Sequence, residues 1–247
     1  MAHRLVYHID SDNKGVGESH SSFNAEILIP DKMKYNRVAL LQAEIPKSYY
    51  LVLRGKNYFT LVEEGVERMI EIPIGNYGRR SFIEELAEQM NLDGATIQYS
   101  FTWTSLTGKL YITVSGNVAQ PYIVFDNITQ IHKQLGFDLG STNMFVGDVL
   151  ESDNVCVFRR TTALYIKSDI CMATHNTTQS ASVLQEMFVS SSPDYGSISF
   201  VNPDVTMTSK PLNKSSSVYH FELYDTDGNN LDLNGVSMVF SIVIFAE

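Results

Sequence analysis

Short apolar runs of period two, broken by turn residues, dominate the chain. Leu5-Val6-Tyr7-His8-Ile9 is the first; residues 25–29 follow and stop at Pro30, and residues 37–45 are closed by Pro46. Alternation of this kind marks half-buried strands, and a proline at a strand end fits because it donates nothing to a ladder. Residues 58–62 and 68–72 flank Glu63-Glu64-Gly65-Val66-Glu67, which reads as a hairpin loop. Residues 97–104 and 109–115 form a second hairpin, turning at Ser105-Leu106-Thr107-Gly108, and 121–125 is a short strand. Further on, 155–158, 163–167, 183–189, 197–201, 219–224 and 236–245 are strand candidates. The Ser/Thr/Asn-rich stretches 172–182 and 203–217 read as long loops.

Helical spacing surfaces twice. Ser81 and Glu84 form a capping box ahead of Phe82, Ile83, Leu86 and Met90, which share one face; Asn91-Leu92-Asp93-Gly94 ends that helix. The stripe predicts core contact rather than a partner groove. A second helix is predicted over 128–135, capped by Asn127 with Gln130 three residues on and stopped by Gly136. Strand-rich sequence flanks both helices. That distribution predicts a mainly β chain, with 1–55 and 145–247 forming a β-sandwich and 56–144 an α+β module inserted in one of its loops.

Composition narrows the function classes. Hydrophobic residues make up 44% of the 247, enough apolar surface to offset ordering entropy and exclude a disordered tail. Eighteen basic against 28 acidic residues give a net charge of −10, and no basic run exceeds the pairs Arg79-Arg80 and Arg159-Arg160. Direct nucleic-acid binding is not expected, because it draws much of its affinity from phosphate neutralisation. Cys156 and Cys171 are too few for a disulfide scaffold or a four-thiolate zinc site; they read as small buried hydrophobes of a reducing compartment. No signal peptide is read at the N-terminus, and no apolar stretch reaches the ~18 residues of a membrane span. The glycosylation patterns at Asn127, Asn176 and Asn213 then read as chance.

Catalytic and ligand-binding patterns are sparse. There is no Gly-x-Ser-x-Gly elbow, and none of His3, His8, His20, His132, His175 and His220 stands at zinc-hydrolase spacing. No catalytic residue, cofactor or metal is expected. Gly15-Val16-Gly17 lacks the third glycine and the helix of a dinucleotide site, and Gly108-Lys109 reads as a hairpin tip. Asp225-Thr226-Asp227-Gly228-Asn229 has the alternating oxygens of a calcium loop, but Asp-Gly between apolar alternations is the stronger hairpin signal. Glu63, Glu64, Glu67 and Glu71 read as a solvated face. The segment Ile45-Pro46-Lys47-Ser48-Tyr49-Tyr50 stands out. Adjacent aromatics on a strand point to opposite faces, so one enters the core while the other meets a neighbour. Ile45, Pro46, Tyr49 and Tyr50 are therefore candidate packing or interface residues.

Several segments, in order, carry a resemblance. They are Val38-Ala39-Leu40-Leu41-Gln42-Ala43-Glu44-Ile45-Pro46-Lys47-Ser48-Tyr49-Tyr50; Ile72-Pro73-Ile74-Gly75-Asn76-Tyr77 with the helix after it; Thr107-Gly108-Lys109-Leu110; Leu135-Gly136-Phe137; and Phe221-Glu222-Leu223-Tyr224-Asp225-Thr226-Asp227-Gly228, followed by Leu231-Asp232-Leu233-Asn234-Gly235 and an apolar strand. Together they resemble the penton (vertex) proteins of virophages, polinton-like viruses and adintoviruses. The match is spread over most of the chain, though 145–217 adds little.

The resemblance implies a single jelly roll standing upright from a capsid shell. It implies homopentamers at the five-fold vertices of an icosahedral double-stranded DNA virus, made and assembled inside the host cell. The neighbours would be trimers of a double-jelly-roll major capsid protein, and 56–144 would form an outward domain able to meet a host receptor. An obvious basic N-terminal arm is missing, so no grip on the packaged genome is expected. Two rival readings remain from the residues alone. One is a trimeric receptor- or glycan-binding spike or fibre head. The other is a carbohydrate-active β-sandwich enzyme, which needs a carboxylate pair in a cleft.

Overall fold

Most of the period-two patterning becomes strand, the first helical stretch becomes a helix, and of the second, predicted over 128–135, the described residues His132–Leu135 are helical. The computed structural model of the chain describes residues 4–30, 34–91, 94–126, 131–172, 182–189 and 196–246. In chain order the elements are β1 (Arg4–Asp10), β2 (Ser22–Glu26), β3 (Arg37–Pro46), β4 (Tyr58–Glu63), β5 (Val66–Glu71), α1 (Arg79–Met90), β6 (Gln98–Trp103), β7 (Leu110–Ser115), β8 (Tyr122–Val124), α2 (His132–Leu135), β9 (Thr142–Met144), β10 (Val149–Glu151), β11 (Ala163–Ser168), β12 (Val183–Phe188), β13 (Ser197–Val201), α3 (Val205–Thr208), β14 (Lys210–Pro211), β15 (Val218–Tyr224) and β16 (Val239–Phe245). They pack into two units, Met1–Tyr49 with Thr161–Glu247, and Tyr50–Arg160.

The first unit is a jelly-roll sandwich. One antiparallel sheet runs β1-β16-β3-β13, with β14 also on β3; the other runs β12-β11-β15-β2. Counted along this unit without the two-residue β14, the orders are first-eighth-third-sixth and fifth-fourth-seventh-second, the interleaving of a double Greek key. Alternate residues meet between the sheets: Val38, Leu40, Ala43 and Ile45 from β3, Phe240, Ile242 and Ile244 from β16, Leu164 and Ile166 from β11, Phe221 and Leu223 from β15. Phe23, Phe221 and Phe240 form an aromatic trio, with centroids 5.1 to 6.4 Å apart, that ties β2 and β15 to β16 of the facing sheet. Buried area of this kind is the dominant favourable term in folding.

The inserted unit lies in sequence between β3 and β11. It holds the sheets β5-β4-β8-β9 and β10-β7-β6 with α1 and α2. Phe82, Leu86 and Met90 of α1 are buried against Phe59, Leu61, Ile70, Tyr99 and Ile112. The helical stripe is therefore core contact. The unit is wider than 56–144, because Leu150, Cys156 and Phe158 also pack into this core.

Local chemistry moves several boundaries. Residues 58–71 turn on two residues rather than five: Glu64 (φ 50°) and Gly65 (φ 82°) both take the left-handed conformation of a tight hairpin turn. α1 starts at Arg79, not after Ser81. Gly78 is its N-cap, and the Ser81 hydroxyl accepts from the Gly78 N–H at 3.1 Å. Residues 155–158 are not a strand; single bonds from Cys156 N–H to Gly108 O and Val157 N–H to Lys133 O hold them instead. The three-residue strands β9 and β10 were too short to show alternation. β2 ends at Glu26 because its partner β15 starts opposite, at Val218. The stretch 203–217 contains α3, capped by the Asp204 carboxylate, and β14. Gly136 (φ 79°) stops α2, while its cap pair Asn127 and Gln130, Asn176, His3, His175 and loop residues 173–181 lie outside the described residues.

One network couples the hairpin to α1. Arg68 donates to the carbonyls of Gln89 and Met90 at the helix C-terminus (3.0 and 2.6 Å) and pairs with Glu63 at 3.3 Å. A cation there complements the helix dipole. Glu63 also accepts from the Tyr99 hydroxyl at 2.8 Å, so this glutamate is not part of a solvated face. Burial first, then the Glu63 hydrogen bond and charge, push the Tyr99 hydroxyl well above the usual tyrosine range, against an opposing effect of Arg68. A raised folded-state pKa gives stability that is present below the unfolded value, about 10, and is lost as pH rises through and beyond it. The inserted unit is therefore expected to lose melting temperature above about pH 10. Tyr99→Phe removes one ionisation and should make the loss shallower; fluorescence melts of the single tryptophan, Trp103, across that range measure it.

Candidate assembly surface

The segment singled out from the sequence divides between core and surface. Ile45 is fully buried and pairs with Ile198; Pro46 stands opposite Ser197. β3 stops there, after a last bond from Lys47 N–H to Gly196 O at 2.8 Å. Tyr49 and Tyr50 therefore lie beyond the strand, in a segment where the Ser48 hydroxyl donates to Leu233 O (2.6 Å) and Asn234 donates to Ser48 O. Strand alternation does not orient them. Tyr49 is buried in the jelly-roll core, whereas Pro46 and Tyr50 are half-buried.

The sheet faces turned away from the core offer larger surfaces. On the β1-β16-β3-β13 sheet, Ala39, Val243 and Phe245 form a small apolar cluster closed by Val205 of α3, and Arg4 stacks on Phe245. Beside it Val6, Val201 and Val239 are exposed. On the β12-β11-β15-β2 sheet, the Lys167 ammonium lies 3.7 Å from the Tyr224 ring centroid. Burial lowers the Lys167 pKa, and the Glu222 carboxylate opposes that shift. The Tyr165 hydroxyl donates to Glu186 at 2.9 Å and the Tyr224 hydroxyl to Glu222 at 3.2 Å, so the aromatic groups and carboxylates of this face satisfy one another. Phe188, on edge strand β12, is 79% exposed, and it is the one exposed member of the chain's 13 phenylalanines. In the inserted unit, Met69, Thr60, Val124 and Thr142 line up across β5-β4-β8-β9, next to Glu67, Val62, Tyr122 and Met144. Tyrosine and methionine are enriched at interface centres.

Other motifs resolve into local structure. Asp225 is fully buried, and its carboxylate accepts from the Asp227 and Asn229 N–H groups (3.0 and 2.8 Å) and from the Asn229 amide. It is the nucleus of a turn. Among the described residues no group of three or more His, Cys, Asp or Glu stands close enough to share a metal ion. Gly108 closes its hairpin at φ 69°. Burial pushes the Cys156 and Cys171 thiols up to about 11, so neither is a poised nucleophile. Ser241 touches His8 Nδ1 at 2.8 Å but is only 2% exposed, which keeps its hydroxyl from a substrate. No helix among the described residues is long and apolar enough to cross a membrane.

Sequence reading missed the exposed Phe188 and a β-bulge in β3, where Gln42 pairs with Ser241 and Leu40 with Ile242, leaving Leu41 extra. The signal was present: Leu40-Leu41-Gln42 breaks the alternation on either side.

The crystal structure of a selenomethionine-labelled mavirus penton protein is similar, with a TM-score of 0.54 over 98% of this chain and 99% of that one, at 12% sequence identity. The likeness is one of fold. It extends over both units, because the match leaves almost nothing of either chain uncovered. No protein-family model and no curated protein sequence matches the chain.

Proposed function

We propose that this chain is a structural, non-catalytic virion protein: a penton forming homopentamers at the five-fold vertices of an icosahedral, double-jelly-roll, double-stranded DNA virus capsid. The observation that carries the reading is end-to-end fold similarity to a mavirus penton protein, covering the jelly roll and the module inserted between its third and fourth strands.

The mechanism is geometric. A five-fold ring needs a heterologous interface, in which one surface of a copy meets a different surface of the next. The jelly roll has such unlike surfaces: an aliphatic patch of Val6 beside the Ala39, Val243 and Phe245 cluster, and a face of tyrosines and carboxylates edged by Phe188. Pro46 and Tyr50 are half-buried and available to the same contacts. Trimers of the major capsid protein would surround the ring, and the inserted unit, with Tyr122, Met69 and Met144 on an outer face, is the part assigned to outward contacts such as a host receptor. Each stable contact should bury more than about 1,000 Å².

Native mass spectrometry over a concentration series tests the ring. Five copies of 27.7 kDa are expected at about 139 kDa by closed cyclic symmetry. A stable trimer would overturn the ring in favour of a receptor-binding head. A chain that stays monomeric moves the test to purified particles, where density for it away from the vertices would sink the proposal.

A further inference from the structure

The β3 bulge opens a concavity on the outer face of the β1-β16-β3-β13 sheet. Asn202, itself buried, fixes the bulge: its N–H donates to Leu41 O at 2.9 Å and its side-chain amide to Leu40 O at 2.6 Å. Bulges of this kind re-aim side chains and recur beside functional sites. Here the bulge turns Gln42 outward across from Ser241. The resulting concavity, a shallow one open to solvent, has a volume of about 380 Å³ between β1, β16, β3 and β13. That lies within the range of small-molecule sites, ~300–1,000 Å³.

Its lining has a definite chemistry. Buried Ser241 forms the floor and holds His8 through Nδ1 at 2.8 Å, which leaves the other ring nitrogen without a partner among the described residues. Gln42 spends one N–H on a long 3.4 Å bond to Ser241, and its amide oxygen takes no partner among the described residues. The Glu44 carboxylate accepts from Ser197 through one oxygen and keeps the other. Ser199 adds an exposed hydroxyl, and Val201 and Val239 supply apolar walls.

This set selects by elimination. A phosphate, sulfate or sialic-acid carboxylate would meet the carboxylates of Glu44 and Asp10 at the rim. A hard cation wants six or more oxygens, and no such cluster exists among the described residues. A purely apolar ligand would strand the polar groups of His8, Gln42 and Ser199. A neutral sugar ring fits each term. Its hydroxyls would pair with Glu44, the Gln42 amide, Ser199 and the free ring nitrogen of His8, with its C–H face toward Val201 and Val239.

The geometry points to a binding site for a neutral saccharide unit on the outer face of the jelly roll. The site goes beyond the capsid reading and does not rest on it. Saturation-transfer NMR on the full chain, with glucose, galactose, mannose and N-acetylglucosamine as probes and N-acetylneuraminic acid and glucose 6-phosphate as comparators, tests it. Transfer to at least one neutral sugar is expected, with a dissociation constant on the order of 1 mM. Gln42→Ala should weaken it at least about tenfold, equivalent to the loss of one good polar contact. Should that variant fail to fold, Ser199→Trp, at an exposed edge position, should block the concavity without entering the core. No transfer from any neutral sugar, strongest transfer from the acidic comparators, or transfer that survives in the folded variant would each overturn the assignment.

Discussion

Replacing Gly136 by alanine should destabilise the inserted unit by about 3 kcal/mol or more. Two costs add. Gly136 sits at φ 79°, where a side chain carries a left-handed penalty of roughly 1–2 kcal/mol. A Cβ there would also lie 2.4 Å from Asn154 O, 2.9 Å from Ser152 Oγ and 3.1 Å from Cys156 Sγ. The first of these is backbone and cannot swing aside, because Asn154 N–H is itself bonded to Gly136 O at 2.8 Å. Relief requires parting the end of α2 from the segment that carries Cys156 into the core. The expected result is a fall of roughly 10–20 °C in the Trp103 fluorescence melt, since 1 kcal/mol moves a unit of this size by several degrees. Gly147→Ala is the control. Gly147 is also left-handed, at φ 58°, but nothing lies within 4 Å of its Cβ position. Equal melting temperatures for the two variants would show that the close approach carries no energy.

That contrast also shows what a sequence exposes and what it hides. Gly136 was legible as a helix stop because Leu-Gly after a helical stretch has a local meaning. The contact with Asn154 that makes it irreplaceable has none, since the partner comes from irregular chain eighteen positions on. Strands such as β1 and β15 were legible for the same local reason: one face is buried, so alternation is imposed, whereas β11, buried at all six positions, was legible as a short apolar run. Their order in the sheets was not, because β1 pairs with β16 from the other end of the chain and no local pattern encodes that partner. The jelly roll entered through resemblance, and the strand order then displayed it.

The candidate site follows the same division. Ile45-Pro46 was readable as a strand end, and the structure keeps Ile45 in the core. Tyr49 and Tyr50 were assigned to opposite faces on the premise of a continuing strand, which ends at Pro46 and is followed by a bend at Tyr49. Exposed apolar residues such as Phe188 gave no warning, because an apolar residue in an edge strand reads the same whether or not it is covered.

Phe221→Ala carries the second large effect, in the jelly roll. Phe221 is fully buried, directly opposite Phe23 in the β15-β2 ladder, with its ring centroid 6.1 Å from that of Phe23 and 5.1 Å from that of Phe240. Truncation removes the transfer energy of a phenyl ring and leaves a cavity that rigid strands close only partly, a loss of about 3–5 kcal/mol. The ring also joins strands of both sheets, so part of the sandwich contact goes with it. Against a typical total of about 5–15 kcal/mol, a change of this size leaves the unit marginal. Hydrogen exchange in β2, β15 and β16 should accelerate together, and Phe221→Leu, which refills much of the cavity, should restore most of the protection. The same variant probes assembly. If copies associate through jelly-roll faces, association stabilises the folded unit by mass action. The apparent melting temperature of Phe221→Ala should then rise with protein concentration, and protection in β15 should recover in the assembled fraction. Melting that is independent of concentration, in a sample that nevertheless contains pentamers, would place the ring contacts outside the jelly roll.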